Sequence, residues 1–210
     1  MAEVSDTLLR ALKTGDLVLF ARPALAPWLP SWLGRRGWSH VALVVRDAEH
    51  GEPMIWETAP SGAAGPPVRL RRLAKRLNEQ RGRISVRPLN RALTPAQCEK
   101  LAAWRRGLEA RHSEHSLLDL MGAGEDGWVG GEQAALDGPL PAELVAEGYQ
   151  AVGLLDRAER GGRAANEYTL RHFAGPGDLP LKHNFTLGPE IPLVPAERAA
   201  AWKNLTPQPA

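Results

Sequence analysis

Cysteine is almost absent from this sequence. A single Cys98 among 210 residues excludes an intrachain disulfide and any zinc site built from several thiolates. No apolar run approaches the length that crosses a bilayer, and the first residues lack the basic start and apolar centre of a secretory signal. Opposite charges nearly balance, with 26 Lys and Arg against 24 Asp and Glu, so nucleic acid is not the default partner. These absences predict a soluble, cytoplasmic protein.

Length and hydrophobic pattern predict an α+β fold in one domain, 1–210. Two of the predicted strands are separated by a turn-rich hairpin connection, which favours antiparallel pairing. Both long predicted helices begin with proline at the first helical position. The predicted strands are 17–20, 40–45, 54–59 and 84–86, and the predicted helices are 95–110 and 141–152. A central antiparallel sheet packed against helices follows from this order.

Two features that could carry chemistry favour ordinary structural roles. Cys98 shares a helical stripe with Leu101 and Trp104, so we expect a core residue that reacts slowly rather than a nucleophile. His112 and His115 have a spacing that can chelate a metal on a helix, but no third ligand is near. Residues 112–139, which include both histidines, are rich in glycine and predicted to be irregular, either throughout or around a short helix at 116–121. We therefore expect no metal and no cofactor.

Positive charge is concentrated between residues 69 and 91. This segment has nine basic side chains and one acidic one, Glu79, so the remainder of the chain is net negative. Leu70, Leu73 and Leu77 have helical spacing within it, which indicates a solvated helix face beside an edge strand. The alternative is a surface for an anionic partner, although the segment lacks interleaved aromatic residues.

The strongest candidate site is formed by His40 and Glu57. GDLVLF at 15–20 is followed by WSHVALVV at 38–45 and then by IWE at 55–57. Strand alternation places His40 on one face with Ala42, and Glu57 on the face opposite to Trp56. A histidine and a carboxylate on paired strands can meet as a base and its orienting group. Taken alone, a histidine at the start of a strand is more often structural.

This arrangement resembles the permuted papain-like hydrolases of the NlpC superfamily, including the YiiX-like amidases and, more distantly, the lecithin–retinol acyltransferases. In that family a GDLVLF-like strand precedes a WSHV-like strand with the catalytic histidine, and a polar residue on the following strand orients it. The nucleophilic cysteine begins a later helix of the pattern CSELVA, to which PAELVAEGYQAVGLL at 141–155 is similar. The resemblance covers about residues 13–195 and implies a permuted papain-like fold, with an antiparallel sheet or partial barrel.

The resemblance ends at the nucleophile. When the sequences are aligned on ELVA at 143–146, the family's cysteine falls on Pro141, which has no nucleophilic group. The resemblance thus implies that His40 and Glu57 are a remnant base and orienting acid in a degenerate, inactive domain. Such a domain would bind or scaffold, with a pocket between His40 and the helix end at 141. Its partner would be an unknown protein or a peptide- or acyl-type small ligand.

The alternative is an active hydrolase or acyltransferase of amide or thioester bonds, with a cell-wall peptide or lipid-type substrate. That activity needs another nucleophile, such as Ser113, Ser116 or an activated water.

Overall fold

Six antiparallel strands form one open sheet in the computed structural model of this chain. The structure describes residues 9–21, 38–46, 50–59, 66–122, 141–175 and 179–193, without the side chains of 111–122. The strands are β1 (Leu17–Phe20), β2 (His40–Val45), β3 (Met54–Thr58), β4 (Val68–Arg72), β5 (Ile84–Arg87) and β6 (Ile191–Pro192). Their order in the sheet is β4-β3-β2-β1-β5-β6, and the two outer strands do not pair with each other. The sheet is therefore not closed into a barrel.

Four α-helices are described around this sheet, together with two short 3₁₀ turns. The helices are α1 (Leu73–Glu79), α2 (Pro95–Gly122), α3 (Pro141–Ala151) and α4 (Leu170–Ala174). The predicted α+β architecture, an antiparallel sheet packed against helices, is confirmed. None of the described helices combines the length and the apolar character needed to cross a bilayer.

Alternation along the strands divides the core into two faces. The α3 face contains the buried strand side chains Leu17, Leu19, Val41, Leu43 and Trp56, with residues of α2 and α3 packed on them. The α1 face contains the buried strand side chains Val18, Phe20, Ala42, Val44 and Ile55, with Leu73 and Leu77 of α1 packed on them. Since both faces are covered, β1 and β2 are apolar at nearly every position.

Local sequence explains how the two long helices begin or end. Thr94 and Gln97 form a reciprocal capping pair before α2, in which each side chain accepts a hydrogen bond from the other's backbone N–H. The helix α3 ends where Gly153 adopts a left-handed φ of 76°, and Gly153 and Leu154 donate to the carbonyls of Gln150 and Tyr149.

The structure corrects the prediction that the helix ends before residue 112 and that at most a short separate helix follows at 116–121. The helix α2 continues through His112 and His115 to Gly122. The run from 112 to 121 contains neither proline nor glycine, so nothing in it interrupts a helix that has already formed. Residues 123–139 lie outside the described part of the chain.

Candidate functional site

The side chains of His40 and Glu57 meet on the α1 face of the sheet. His40 begins β2, and Glu57 lies in the antiparallel neighbour β3, two residues after Ile55. The Nε2–H of His40 donates to Oε2 of Glu57 at 3.0 Å. Because a carboxylate only accepts, this contact places a proton on Nε2. The Glu57 side chain is 2% exposed, and that of His40 is 18% exposed.

Arginines from β4 and α1 surround the Glu57 carboxylate. Arg71 Nη1 donates to Oε1 at 3.3 Å, Arg76 Nε donates to Oε2 at 3.2 Å, and Arg69 Nε lies 3.9 Å from Oε1. Burial alone would raise the pKa of Glu57, but the hydrogen bond and charge of His40 and the charge of Arg76 outweigh it. The pKa of Glu57 is therefore below its usual range, and the carboxylate is ionised at neutral pH.

The sequence did not identify these arginines as partners of Glu57, because sequence spacing does not show which strand pairs with β3. The register places Arg69 opposite Glu57 and Arg71 opposite Ile55, so both side chains reach the α1 face. Arg76 follows from α1, which is continuous with β4. The strand alternation in Val68–Arg72 was a signal that could have predicted β4.

Other basic residues of the segment 69–91 are also engaged within the protein. Arg72 pairs with Glu52 at 3.0 Å, and the guanidinium of Arg83 lies 5.0 Å from the ring centroid of Trp38. Arg87 is buried and donates to backbone carbonyls, including that of Phe173 at 2.9 Å. Much of the segment's positive charge therefore serves internal contacts rather than a continuous outer surface.

Pro141 lies at the beginning of α3, whose buried side chains belong to the α3-face core. A cavity of about 1090 Å³ lies at this helix end, and its walls include Trp38, Ser39, Pro141, Tyr168, Leu170 and Arg171. Neither His40 nor Glu57 lines it. The neighbouring residue Ser39 does, because consecutive strand side chains point to opposite faces. Among the described residues, the cavity at this helix end is therefore bounded by Ser39 and not by His40.

Cys98 also lies on the α3 side of the molecule. It is half-buried in α2 and packs against the α3-face core, as its helical stripe predicted. Burial raises the pKa of the thiol, which reduces its thiolate fraction at neutral pH. The sheet separates this thiol from the His40 imidazole.

Four further predicted candidates belong to the last part of α2. His112, Ser113, His115 and Ser116 lie in the part of α2 whose side chains are outside the described residues. Among the described residues, no three His, Cys, Asp or Glu side chains converge as metal ligands would. No protein-family model matches the chain, and the search of curated proteins found no match.

Proposed function

We propose that this chain is a papain-like domain, related to the NlpC-superfamily cysteine hydrolases, that lacks thiol catalysis and acts as a ligand-binding module. One observation carries the proposal. The chain's only thiol, Cys98, and the His40–Glu57 pair lie on opposite faces of the sheet. The GDLVLF and WSHV strands, their antiparallel pairing and the helix beginning at Pro141 support the relationship.

Papain-like catalysis needs a thiolate within about 2.6–3.2 Å of the imidazole, or somewhat farther without ligand. A packed sheet lies between Cys98 and His40, and packed layers are separated by roughly 10 Å. Pro141 supplies no nucleophile at the position that aligns with the family's cysteine. The described residues therefore offer no thiol–imidazole couple.

The contacts of His40 also give it a positioning role in the fold. Its Nε2 is committed to Glu57, and that carboxylate is itself held by Arg71 and Arg76. This network joins β2, β3, β4 and α1, so it fixes the edge of the sheet against the helix. A buried carboxylate that accepts three hydrogen bonds from charged or ring N–H donors is a rigid element of the fold.

The cavity at the beginning of α3 is the proposed ligand site. Its volume of about 1090 Å³ is slightly above the roughly 300–1,000 Å³ typical of small-molecule pockets. Trp38, Tyr168 and Leu170 supply apolar wall, and Ser39 supplies a hydroxyl. Arg171 is the charged side chain among its described lining residues, which favours a ligand with one anionic group. A peptide- or acyl-type molecule with a carboxylate has this combination.

Enzymatic assays test the absence of thiol catalysis. The purified protein is incubated with acyl ester, thioester and amide substrates, with and without prior alkylation by iodoacetamide. We expect no turnover above the rate in buffer under either condition. Turnover that alkylation abolishes and that His40→Ala also abolishes would contradict the proposal, whereas alkylation-resistant turnover would favour the alternative hydrolase.

Binding of dodecanoyl-alanine, followed by calorimetry, tests the ligand site. Ala174 lines the cavity, and Ala158 is exposed elsewhere in the chain, so the two alanines allow a matched comparison. We expect Ala174→Leu to weaken binding by about ten-fold through lost volume, and Ala158→Leu to leave it unchanged. Equal effects of the two substitutions would place the ligand elsewhere.

A further inference from the structure

Positive charge exceeds negative charge around Glu57. The guanidinium groups of Arg69, Arg71 and Arg76 all lie within 4 Å of its carboxylate. Among the described residues, Glu79 is the other carboxylate that pairs with one of these arginines, and it forms an ion pair with Arg71. Three arginines thus face two carboxylates, before any charge on the His40 imidazole is counted. The cluster retains a net positive charge.

Arg69 is the least satisfied member of this cluster. Its Nε is buried and has no hydrogen-bond partner in the described part of the chain, and its contact with Glu57 is long at 3.9 Å. The remaining N–H groups of this guanidinium, in a side chain that is 30% exposed, can donate to an oxygen supplied by a ligand. Arg71 and Arg76 also have more N–H groups than their contacts with Glu57, Glu79 and Gln80 use.

The cluster is oriented in advance and open at its rim. Glu57 holds Arg71 and Arg76 by hydrogen bonds, and the Phe20 ring lies beneath the Arg76 guanidinium at 4.3 Å. The side chains of Arg76 and Arg69 are 16% and 30% exposed, so a small ligand can approach them from solvent. Fixed arginines are the side chains best suited to phosphate, because their planar donors match its oxygens.

We propose that His40, Arg69, Arg71 and Arg76 form a binding site for the phosphate group of a small molecule, with Glu57 as the carboxylate that orients the arginines. This site lies on the α1 face, whereas the cavity at Pro141 lies at the α3 face. It is therefore independent of the proposed function, and either could fail without the other.

Titration with inorganic phosphate and with glycerol phosphate, at constant ionic strength against chloride, tests this site and separates free from esterified phosphate. Calorimetry gives the affinity, and histidine-detected NMR reports which imidazole responds. Arg69→Gln removes the least satisfied guanidinium and breaks no short contact. Arg81→Gln is the matched control, because Arg81 is an exposed arginine of the same basic segment outside the cluster.

We expect saturable binding of at least one of the two compounds, with a shift of the His40 resonances and not of His183, which is exposed and distant in sequence. Arg69→Gln should weaken the affinity by about ten-fold, and Arg81→Gln should change it by less than about two-fold. Absence of saturable binding by the wild-type protein would overturn the proposal. Equal losses in the two variants would do the same, since they would indicate diffuse charge attraction. The NMR response of the wild-type protein decides the matter if Arg69→Gln does not fold.

Discussion

Replacing the buried Glu57 with glutamine should strongly destabilise this protein. The substitution removes the charge that His40, Arg71 and Arg76 share, and it places an amide donor against their own donors. Removal of one partner from a fully buried ion pair costs about 3–5 kcal/mol. Arg71 and Arg76 remain 18% and 16% exposed, so solvent recovers part of that cost.

We therefore expect Glu57→Gln to lower the free energy of unfolding by about 3 kcal/mol, which for a domain of this size lowers Tm by about 6–12 °C. Urea denaturation followed by circular dichroism at neutral pH measures the free energy directly. Glu79→Gln is the control, because Glu79 pairs with Arg71 but is 46% exposed at the surface. Its loss should cost no more than about 0.5 kcal/mol.

The effect of Glu57→Gln should also depend on pH. The pKa of Glu57 is lower in the folded protein than in the unfolded chain, so the unfolded chain takes up the proton at the higher pH. The stabilisation from Glu57 is complete above the unfolded-state pKa and is lost as the pH falls through the folded-state pKa. The difference between wild type and variant should therefore shrink below about pH 4. A cost under about 1 kcal/mol, or one that persists undiminished in acid, would refute this reasoning.

Three further substitutions or reactions have defined outcomes. Asp16 is buried and accepts the backbone N–H of Leu89 at 2.8 Å, so Asp16→Ala should cost about 2–3 kcal/mol in urea denaturation; a cost near zero would show that water replaces the carboxylate. Arg87→Met should lower the free energy of unfolding by about 3 kcal/mol in the same assay, because it leaves carbonyls such as that of Phe173 without a donor. Arg87→Lys should recover little of that loss, since an ammonium lacks the planar array of donors of a guanidinium; full recovery with lysine would contradict this explanation. In the folded protein Cys98 should react with a maleimide about ten-fold more slowly than free cysteine, because burial raises the pKa of its thiol, and denaturant should remove the difference. A labelling rate of the folded protein above that of free cysteine would contradict this.

The strands of the central sheet could be predicted from sequence because their apolar character is strong and local. LVLF and HVALVV become β1 and β2 at the predicted bounds, and both are buried on two faces. The Thr94–Gln97 capping pair likewise depends only on neighbouring residues. Neighbouring residues alone were therefore sufficient to predict where these elements lie in the chain.

One element, β4, was misread, because Leu70 was assigned to the helix that Leu73 and Leu77 do form. The helical spacing of Leu70, Leu73 and Leu77 extends across the boundary between β4 and α1, where the chain changes from strand to helix after Arg72. The edge position of β4 beside β3 made Val68–Arg72 a strand, and no local pattern of leucines shows that.

The candidate site was predictable as a pair but not in its orientation. Alternation placed His40 and Glu57 on defined strand faces, and the structure brings their side chains together. Which helix covers that face depends on how the chain connects across the sheet, and sequence spacing does not encode this. The helix that covers it is α1, whereas α3 covers the other face.

The His40 imidazole lies on the α1 face of the sheet and does not face the beginning of α3. The most direct test installs a thiol there with Pro141→Cys in a Cys98→Ala background and measures the rate of alkylation by iodoacetamide against pH. The helix N-terminus can itself lower the pKa of that thiol, so the discriminating comparison adds His40→Ala to the same protein. We predict that His40→Ala leaves the alkylation profile unchanged and that the introduced thiol hydrolyses no acyl substrate. A profile that moves to higher pH by about one unit or more when His40 is removed would show a thiolate–imidazole couple and contradict the account.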